Sequence, residues 1–214
     1  MIKAIIFDMD GVIVNTEPLL LKGSRILFKR YGIDHRKTPA QVFGMKALEA
    51  MKLKMKIHGL KGDAKKLLKE SGPIVYHLVE KELKTMPGLF KAFDFIKKNN
   101  YKIALATSGW NEYVEHVLNK ARIKKYFPVI VTSDMVKKTK PNPEIYFKTA
   151  KRLGVKPSEC VVIEDAPNGL KAAKRAGMKC IIVPHGGTKS LKFPQADAII
   201  KSLKEINSEL LNSL

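Results

Sequence analysis

Cysteine is scarce in this chain of 214 residues, which contains only Cys160 and Cys180. Two thiols can form neither a disulfide framework nor the ligand set of a structural zinc site, so we expect buried free thiols. Long apolar runs are also missing, since none approaches the ~18–20 residues that a membrane span needs. The apolar N-terminal segment contains Asp8 and Asp10, which does not fit a signal peptide. The sequence therefore predicts a cytoplasmic protein without a membrane partner.

Acidic residues are half as numerous as basic residues, with 20 Asp and Glu against 40 Lys and Arg. The resulting formal net charge of +20 favours anionic binding partners. Only 6 of the basic residues are arginine, and 34 are lysine. Arginine is the residue whose guanidinium forms paired hydrogen bonds with bases and phosphates. This composition disfavours a protein that reads nucleic-acid bases. Nucleic-acid binding remains an alternative because of the charge alone.

Short apolar runs recur along the chain and predict strands that are buried on both faces of a parallel sheet. These runs are 4–7, 103–106, 129–131, 161–163, 180–183 and, more weakly, 198–200. Helical patterns lie between them at 89–98, 112–120, 143–153 and 169–177. Strands that alternate with helices of about ten residues predict an α/β fold with a Rossmann-like parallel sheet.

The segment 15–85 contains no strand pattern of comparable quality. Its patterns predict helices at 19–31, 41–58, 63–70 and 74–84, with Gly72 and Pro73 separating the last two. We therefore expect an inserted α-helical cap domain at 15–85. The Rossmann-like catalytic core is then formed by 1–14 together with 86–214.

Polar residues follow three of the predicted strands, and a further motif precedes the fourth strand. They are Asp8 and Asp10 after the first strand, Thr107 and Ser108 after the second, Glu164 and Asp165 after the fourth, and Lys140 in the loop before it. Because ligands of open α/β sheets bind at the carboxyl ends of the strands, we expect these side chains to converge.

This set of groups suits a phosphate monoester together with a hard divalent cation such as Mg2+. The Thr107 hydroxyl and the Ser108 backbone N–H can donate to phosphate oxygens, while Lys140 adds positive charge. As a nucleophile, Asp8 would form an aspartyl-phosphate. Asp10 would protonate the leaving group and then activate water. The sequence thus predicts a Mg2+-dependent phosphatase acting on a small phosphorylated metabolite.

The four motifs together closely resemble those of the haloacid dehalogenase-like superfamily. The first is Phe7-Asp8-Met9-Asp10-Gly11-Val12, followed in the expected order by Thr107-Ser108, Lys140-Pro141 and Ile163-Glu164-Asp165. The insert at 15–85 is similar to the helical cap of the β-phosphoglucomutase and phosphoglycolate phosphatase branch. The order of the motifs over the whole chain makes this resemblance specific.

The resemblance implies a phosphoric monoester hydrolase in which Asp8 is the nucleophile and Asp10 the general acid and base. It also implies that Mg2+ is held by Asp8, the Asp10 carbonyl and Asp165. Glu164 is implied to lie beside the metal, either as a direct ligand or through water. The oligomeric state is left open.

Two positions in the predicted cap bear on the substrate. Mutases of that branch usually have a histidine after the acid and base Asp, and Leu20 stands at its place in this chain. This difference favours a phosphatase over a phosphosugar mutase, which remains the alternative enzyme. The loop Gly44-Met45-Lys46 resembles one that touches substrate, which makes Lys46 a candidate contact, with an exposed lysine as the alternative. For His185, as for the other histidines, we expect a surface or structural role; its place after the last long strand makes a position near the site the alternative.

Overall fold

The computed structural model describes residues 1–34, 42 and 44–214. Its strands are β1 (Ala4–Phe7), β2 (Lys102–Ala106), β3 (Val129–Val131), β4 (Cys160–Glu164), β5 (Lys179–Ile182) and β6 (Ala198–Ile199). Its α-helices are α1 (Glu17–Lys29), α2 (Ala47–Ile57), α3 (Ala64–Glu82), α4 (Leu89–Lys98), α5 (Asn111–Lys120), α6 (Glu144–Leu153), α7 (Pro167–Arg175) and α8 (Ser208–Asn212). The strands form one sheet in the order β3-β2-β1-β4-β5-β6. All neighbouring strands are parallel, which confirms the predicted Rossmann-like α/β fold.

Alternate side chains of β1 point to opposite faces of the sheet, as the period of two in a strand requires. Ile5 and Phe7 belong to the core cluster that α4 and α5 cover, whereas Ala4 and Ile6 belong to the cluster under α6 and α7. None of the four side chains is accessible to solvent. Each fully buried large apolar side chain contributes about 1.5–3 kcal/mol, so these continuous apolar runs are stable only inside a sheet covered on both faces.

The helices α1, α2 and α3 lie between β1 and β2 in the chain and form the helical insert. They share a small apolar core of their own, which includes Leu27, Phe28, Met51, Met55 and Leu67. The two chain segments that lead into and out of the insert run side by side. There Val14 forms an antiparallel bridge with Thr85. The limits of the cap at 15–85 stay a prediction.

The predicted break between helices 63–70 and 74–84 is wrong, because α3 continues through Pro73. Proline removes one intrahelical hydrogen bond and crowds the preceding turn. In α3 the apolar side chains Leu67, Val75 and Leu78 are buried, and packing of this face outweighs the local preference of Pro73. The predicted helix 41–58 is shorter in the structure, where α2 begins at Ala47; residue 41 lies outside the described residues.

No helix within the described ranges combines the length and the apolar character that crossing a membrane requires.

Candidate active site

The strand order places three polar strand ends side by side. Within the sheet, β2 lies on one side of β1 and β4 lies on the other side. A crevice forms at such a switch point, outside the carboxyl ends of the strands. Asp8 follows β1, Thr107 follows β2, and Glu164 ends β4. The sheet therefore brings together residues that are 57 to 156 positions apart in the chain.

Lys140 is the buried cation of this crevice and is only 4% exposed. Its Nζ donates to Asp8 Oδ1 at 2.6 Å, to Glu164 Oε1 at 2.7 Å and to the Ala106 carbonyl at 3.0 Å. Burial alone lowers the pKa of this ammonium, but Asp8 and then Glu164 outweigh burial and hold the pKa well above its ordinary value. Lys140 is therefore a permanent positive charge at the floor of the crevice.

Both oxygens of Glu164 are engaged by the protein. Oε1 accepts from Lys140 and from the Tyr146 hydroxyl at 3.2 Å, and Oε2 accepts from the backbone N–H groups of Asp165 and Ala166. The helix α7 approaches this carboxylate so closely that a Cβ on Gly169 would lie 1.6 Å from Oε1. Glu164 is thus locked in place, and it orients Lys140.

Three buried carboxylates could hold a metal ion. Asp8, Glu164 and Asp165 each offer an oxygen, and these oxygens lie within 4.8 Å of one another. Burial raises the pKa of Asp8 well above its usual range, and burial followed by the charge of Glu164 does the same for Asp165. A cation among these groups would stabilise their charged forms. Oxygen donors that are this close and this hard fit Mg2+, which prefers one or two carboxylates together with water and phosphate oxygens.

Asp10 lies two residues after Asp8 in the same loop, and two hydroxyl groups hold its carboxyl group in place. Its Oδ1 accepts from Thr16 Oγ1 at 2.5 Å and from the Tyr113 hydroxyl at 2.9 Å. Burial raises the pKa of Asp10, and the two hydrogen bonds offset part of this effect. A raised pKa suits a carboxyl group that donates a proton. Sequence reasoning did not find Tyr113, because nothing in its spacing marks it within α5.

Thr107 and Ser108 lie between β2 and the start of α5. The Thr107 side chain is buried, and its hydroxyl accepts from the Gly109 backbone N–H at 3.1 Å. The Ser108 hydroxyl donates to the Gly44 carbonyl at 3.1 Å, which connects the core with the loop before α2. Both residues line the same cleft as Asp8.

His185 also lies at this site, although its sequence context led us to expect a surface or structural role. Its Nε2 is 3.0 Å from Asp165 Oδ2, and its Nδ1 is 3.4 Å from Glu17 Oε2. The available signal was its position just beyond β5, at the same edge of the sheet. Gly11 has a φ of 81°, and a Cβ there would lie 1.9 Å from His185 Nε2. Glycine is therefore required at position 11 for both its backbone conformation and this approach.

A cleft of about 170 Å³ opens in front of these groups and continues between the cap helices. Its core side is lined by Asp8, Asp10, Thr107, Ser108, Gly109, Trp110, Tyr113, Asp165 and His185. On the cap side, Gly44, Met45 and Ala47 line the cleft, whereas Lys46 between them does not. The structure thus brings all the predicted residues of the core to one site, and it places the candidate cap contact Lys46 beside the cleft.

Known proteins that are similar to this chain include phosphatases and related enzymes of the same fold. Residues 5–183 match the family model of the haloacid dehalogenase-like hydrolases. A phosphorylated carbohydrates phosphatase of Thermotoga maritima is 35% identical over 209 residues, which cover 96% of this chain and 97% of that protein. Among solved structures, CbbY of Rhodobacter sphaeroides in complex with phosphate has a TM-score of 0.87 and 29% identity, covering 99% of this chain and 100% of that one.

A β-phosphoglucomutase of Clostridium difficile has a TM-score of 0.85 and 27% identity, covering 99% of this chain and 96% of that chain. Phosphatases and mutases of one fold are therefore similar to this chain over nearly its whole length. The chain belongs to the haloacid dehalogenase-like hydrolases.

Proposed function

We propose that this hydrolase is a Mg2+-dependent phosphatase that cleaves a small phosphate monoester through an aspartyl-phosphate on Asp8. The observation that carries the proposal is the buried arrangement of Asp8, Lys140 and Glu164, with Asp165 beside them, at the floor of a cleft. Such a site combines a nucleophile with a fixed cation where negative charge develops during phosphoryl transfer. The phosphatase among its relatives supports the same reaction class.

In the first step, an oxygen of Asp8 bonds to phosphorus while the bond to the leaving oxygen breaks. Lys140 holds the Asp8 carboxylate through Oδ1 and so orients the nucleophile. Asp10 gives its proton to the leaving alcohol, and the hydroxyls of Thr16 and Tyr113 keep its carboxyl group in place for that transfer.

In the second step, Asp10 takes a proton from water, whose oxygen bonds to phosphorus as the bond to Asp8 breaks. This step releases phosphate and restores the Asp8 carboxylate. We propose Thr107 and Ser108 as donors to the phosphate oxygens. Asp8, the Asp10 carbonyl and Asp165 would hold Mg2+, which would supply positive charge to the phosphate. Because both its oxygens are engaged by the protein, Glu164 would act by orienting Lys140 and would reach a bound metal only through water.

The test is hydrolysis of 4-nitrophenyl phosphate with and without Mg2+, for the wild-type chain and for Asp8→Asn. We expect turnover that needs Mg2+ and that falls by at least about 1000-fold in Asp8→Asn, because the amide is not a nucleophile. Asp94→Asn, on the exposed face of α4, is the matched control and should keep wild-type activity. Full activity in Asp8→Asn would contradict the proposal.

The phosphosugar mutase is separated by a second measurement. Leu20 lines the cleft where the mutases place a histidine, so an apolar side chain occupies the place of a proton-transferring group. We therefore expect any turnover of a hexose 1-phosphate to yield free phosphate rather than an isomeric phosphate. Detection of the isomeric hexose phosphate by NMR would favour the mutase.

Nucleic-acid binding is the remaining alternative, and only the net charge supports it. Fluorescence anisotropy with a labelled oligonucleotide tests it directly. We expect no binding at ~0.15 M salt, because electrostatic binding of this kind weakens steeply as salt rises.

A further inference from the structure

The cleft continues beyond the phosphate site into the interior of the cap, where its walls become apolar. On the cap side these walls are formed mainly by Leu20, Leu21, Met51, Leu68 and Val75. A polyol in this space would leave hydroxyl groups without partners, which costs free energy for each group. The walls therefore suit a substrate whose body is apolar.

Lys54 and Ser24 lie at the far end of this space. On α1, Glu17 contacts the core through the Gly187 N–H, and Ser24 follows seven residues later, roughly 10 Å along the helix. On α2, Ala47 is next to the loop that contacts Ser108, and Lys54 again follows seven residues later. Two pairs of residues, one on each of these helices, line the same cleft: Glu17 and Ser24, and Ala47 and Lys54. Lys54 thus faces the phosphate site from the opposite end.

The hydrogen-bonding groups at this end are incompletely used. Lys54 Nζ donates to Ser24 Oγ at 2.8 Å, and Ser24 Oγ in turn donates to the Leu20 carbonyl at 2.9 Å. An ammonium has three N–H donors, so this contact accounts for one of them. Within the described ranges, no carboxylate lies within 4.0 Å of Lys54 Nζ, although most of the ion pairs in the chain join a lysine to an acid.

We propose that Lys54 and Ser24 form a subsite for an anionic oxygen group at the end of the substrate opposite to the phosphate ester. The substrate class is then a phosphate monoester with an apolar body that ends in a carboxylate or a second phosphate. This inference rests on the proposed phosphatase activity, which it makes more specific. A charge that is withdrawn from water without a charged partner is unfavourable, and an incoming anion would supply that partner.

The electrostatic state of Lys54 agrees with this role. Burial lowers the pKa of its ammonium to about 8, so most of the population is still positively charged at neutral pH. The lysine is thus charged and poorly compensated, and an anion bound beside it would raise its pKa again.

The test compares two series of substrates, n-alkyl phosphates and ω-carboxyalkyl phosphates of the same chain length, with α,ω-alkanediol bisphosphates as a third arm. For the wild-type chain we expect kcat/KM to be higher for an anionic end group than for the matched alkyl phosphate, with an optimum at one chain length. The carboxylate and bisphosphate arms identify which anion is preferred. Equal kcat/KM for charged and uncharged end groups at every length would overturn the subsite.

The matched pair of variants is Lys54→Met and Lys52→Met, both on α2. Lys52 is exposed and paired with Glu49, so its replacement should keep the wild-type preference. Lys54→Met should reduce the ratio of kcat/KM for charged over uncharged end groups by about 10- to 100-fold, the value of a hydrogen-bonded charge. An unchanged ratio in Lys54→Met would overturn the subsite.

The two proposals fail in different ways. If the wild-type chain releases no phosphate from 4-nitrophenyl phosphate, the phosphatase itself is wrong. If it hydrolyses 4-nitrophenyl phosphate but shows no preference for an anionic end group, only the subsite at Lys54 is wrong. The preference of the wild-type chain is measured without any substitution, so the test does not depend on the folding of a variant.

Discussion

At the scale of single residues, the hydroxyl of Tyr113 offers a direct test of how Asp10 is held. Tyr113→Phe removes the hydrogen bond of 2.9 Å to Asp10 Oδ1 and keeps the buried ring. Because the bond is made to a carboxyl group that must stay aligned, we expect kcat to fall by about 10-fold or more, with little change in KM. Steady-state kinetics measure both constants, and Tyr101→Phe, away from the cleft, serves as the control. A normal kcat in Tyr113→Phe would show that Thr16 alone positions Asp10.

Lys54 also predicts a pH dependence of stability. Its pKa is lowered from 10.5 to about 8 by burial, so the folded state binds fewer protons than the unfolded state between these values. The cost of burying its charge is fully present below pH 8 and disappears as the pH rises towards 10.5. Lys54→Met should therefore raise the free energy of unfolding by about 1–3 kcal/mol at pH 7, a gain that shrinks at pH 9.5.

Urea unfolding of the wild-type chain and of Lys54→Met at pH 7 and pH 9.5 measures the difference between their free energies of unfolding. The other titrating groups are the same in both proteins, so their contributions cancel. A stability difference that stays constant with pH would contradict a buried, charged Lys54.

The residues of the site differ in how far they can be predicted from sequence. Asp8, Asp10 and the Glu164-Asp165 pair follow or end strands, and parallel pairing brings such ends together. Lys140 lies in the loop between β3 and α6, and its motif with Pro141 marked it in the sequence. Tyr113 reaches Asp10 because α5 packs against the face of the sheet that carries Ile5 and Phe7. The way in which a helix packs on a sheet is not encoded in a linear pattern of residues.

At the scale of secondary-structure elements, the contact between α7 and Glu164 predicts a strong effect of one methyl group. Gly169→Ala would place a Cβ 1.6 Å from Glu164 Oε1, so either the helix or the carboxylate must move. We expect a loss of on the order of 3 kcal/mol and a Tm lower by roughly 6–12 °C, together with reduced kcat because Lys140 loses its alignment.

Lys171→Ala is the matched control for this substitution. Lys171 is exposed on the same helix α7, and alanine is a strong helix former. The Tm of this variant, measured by calorimetry, should stay equal or rise slightly. An unchanged Tm for Gly169→Ala would mean that the contact with Glu164 relaxes without cost.

The elements themselves were predicted unequally well. The strands were found to within a residue or two, because a parallel strand buried on both faces leaves a continuous apolar run in the sequence. The helix α3 was predicted as two helices, because a local rule for Pro73 cannot take account of the buried face that Leu67 forms before it and Val75 and Leu78 form after it. Local signals are thus reliable where burial is complete, and they fail where tertiary packing overrides a single residue.

At the scale of the whole molecule, the net charge of +20 predicts how the rate depends on salt. A positive field attracts a phosphate dianion over a distance that is limited by the Debye length, which is about 8 Å at physiological ionic strength. We expect kcat/KM to fall several-fold between about 0.02 and 0.3 M NaCl, while kcat stays nearly constant. Initial rates at saturating and at low substrate concentration separate the two constants, and a constant kcat/KM would exclude attraction by the net charge.

The ion pair between Lys140 and Asp8 has a consequence for the order of folding. It joins residues 132 positions apart, and its other carboxylate, Glu164, comes later still. During synthesis, β1 and its two aspartates emerge long before β4, the strand that covers the second edge of β1. The closing of such long loops is slow, so folding is expected to be limited by the late insertion of β1 between β2 and β4. The appearance of phosphatase activity in a refolding experiment would then report the last event of folding rather than an early one.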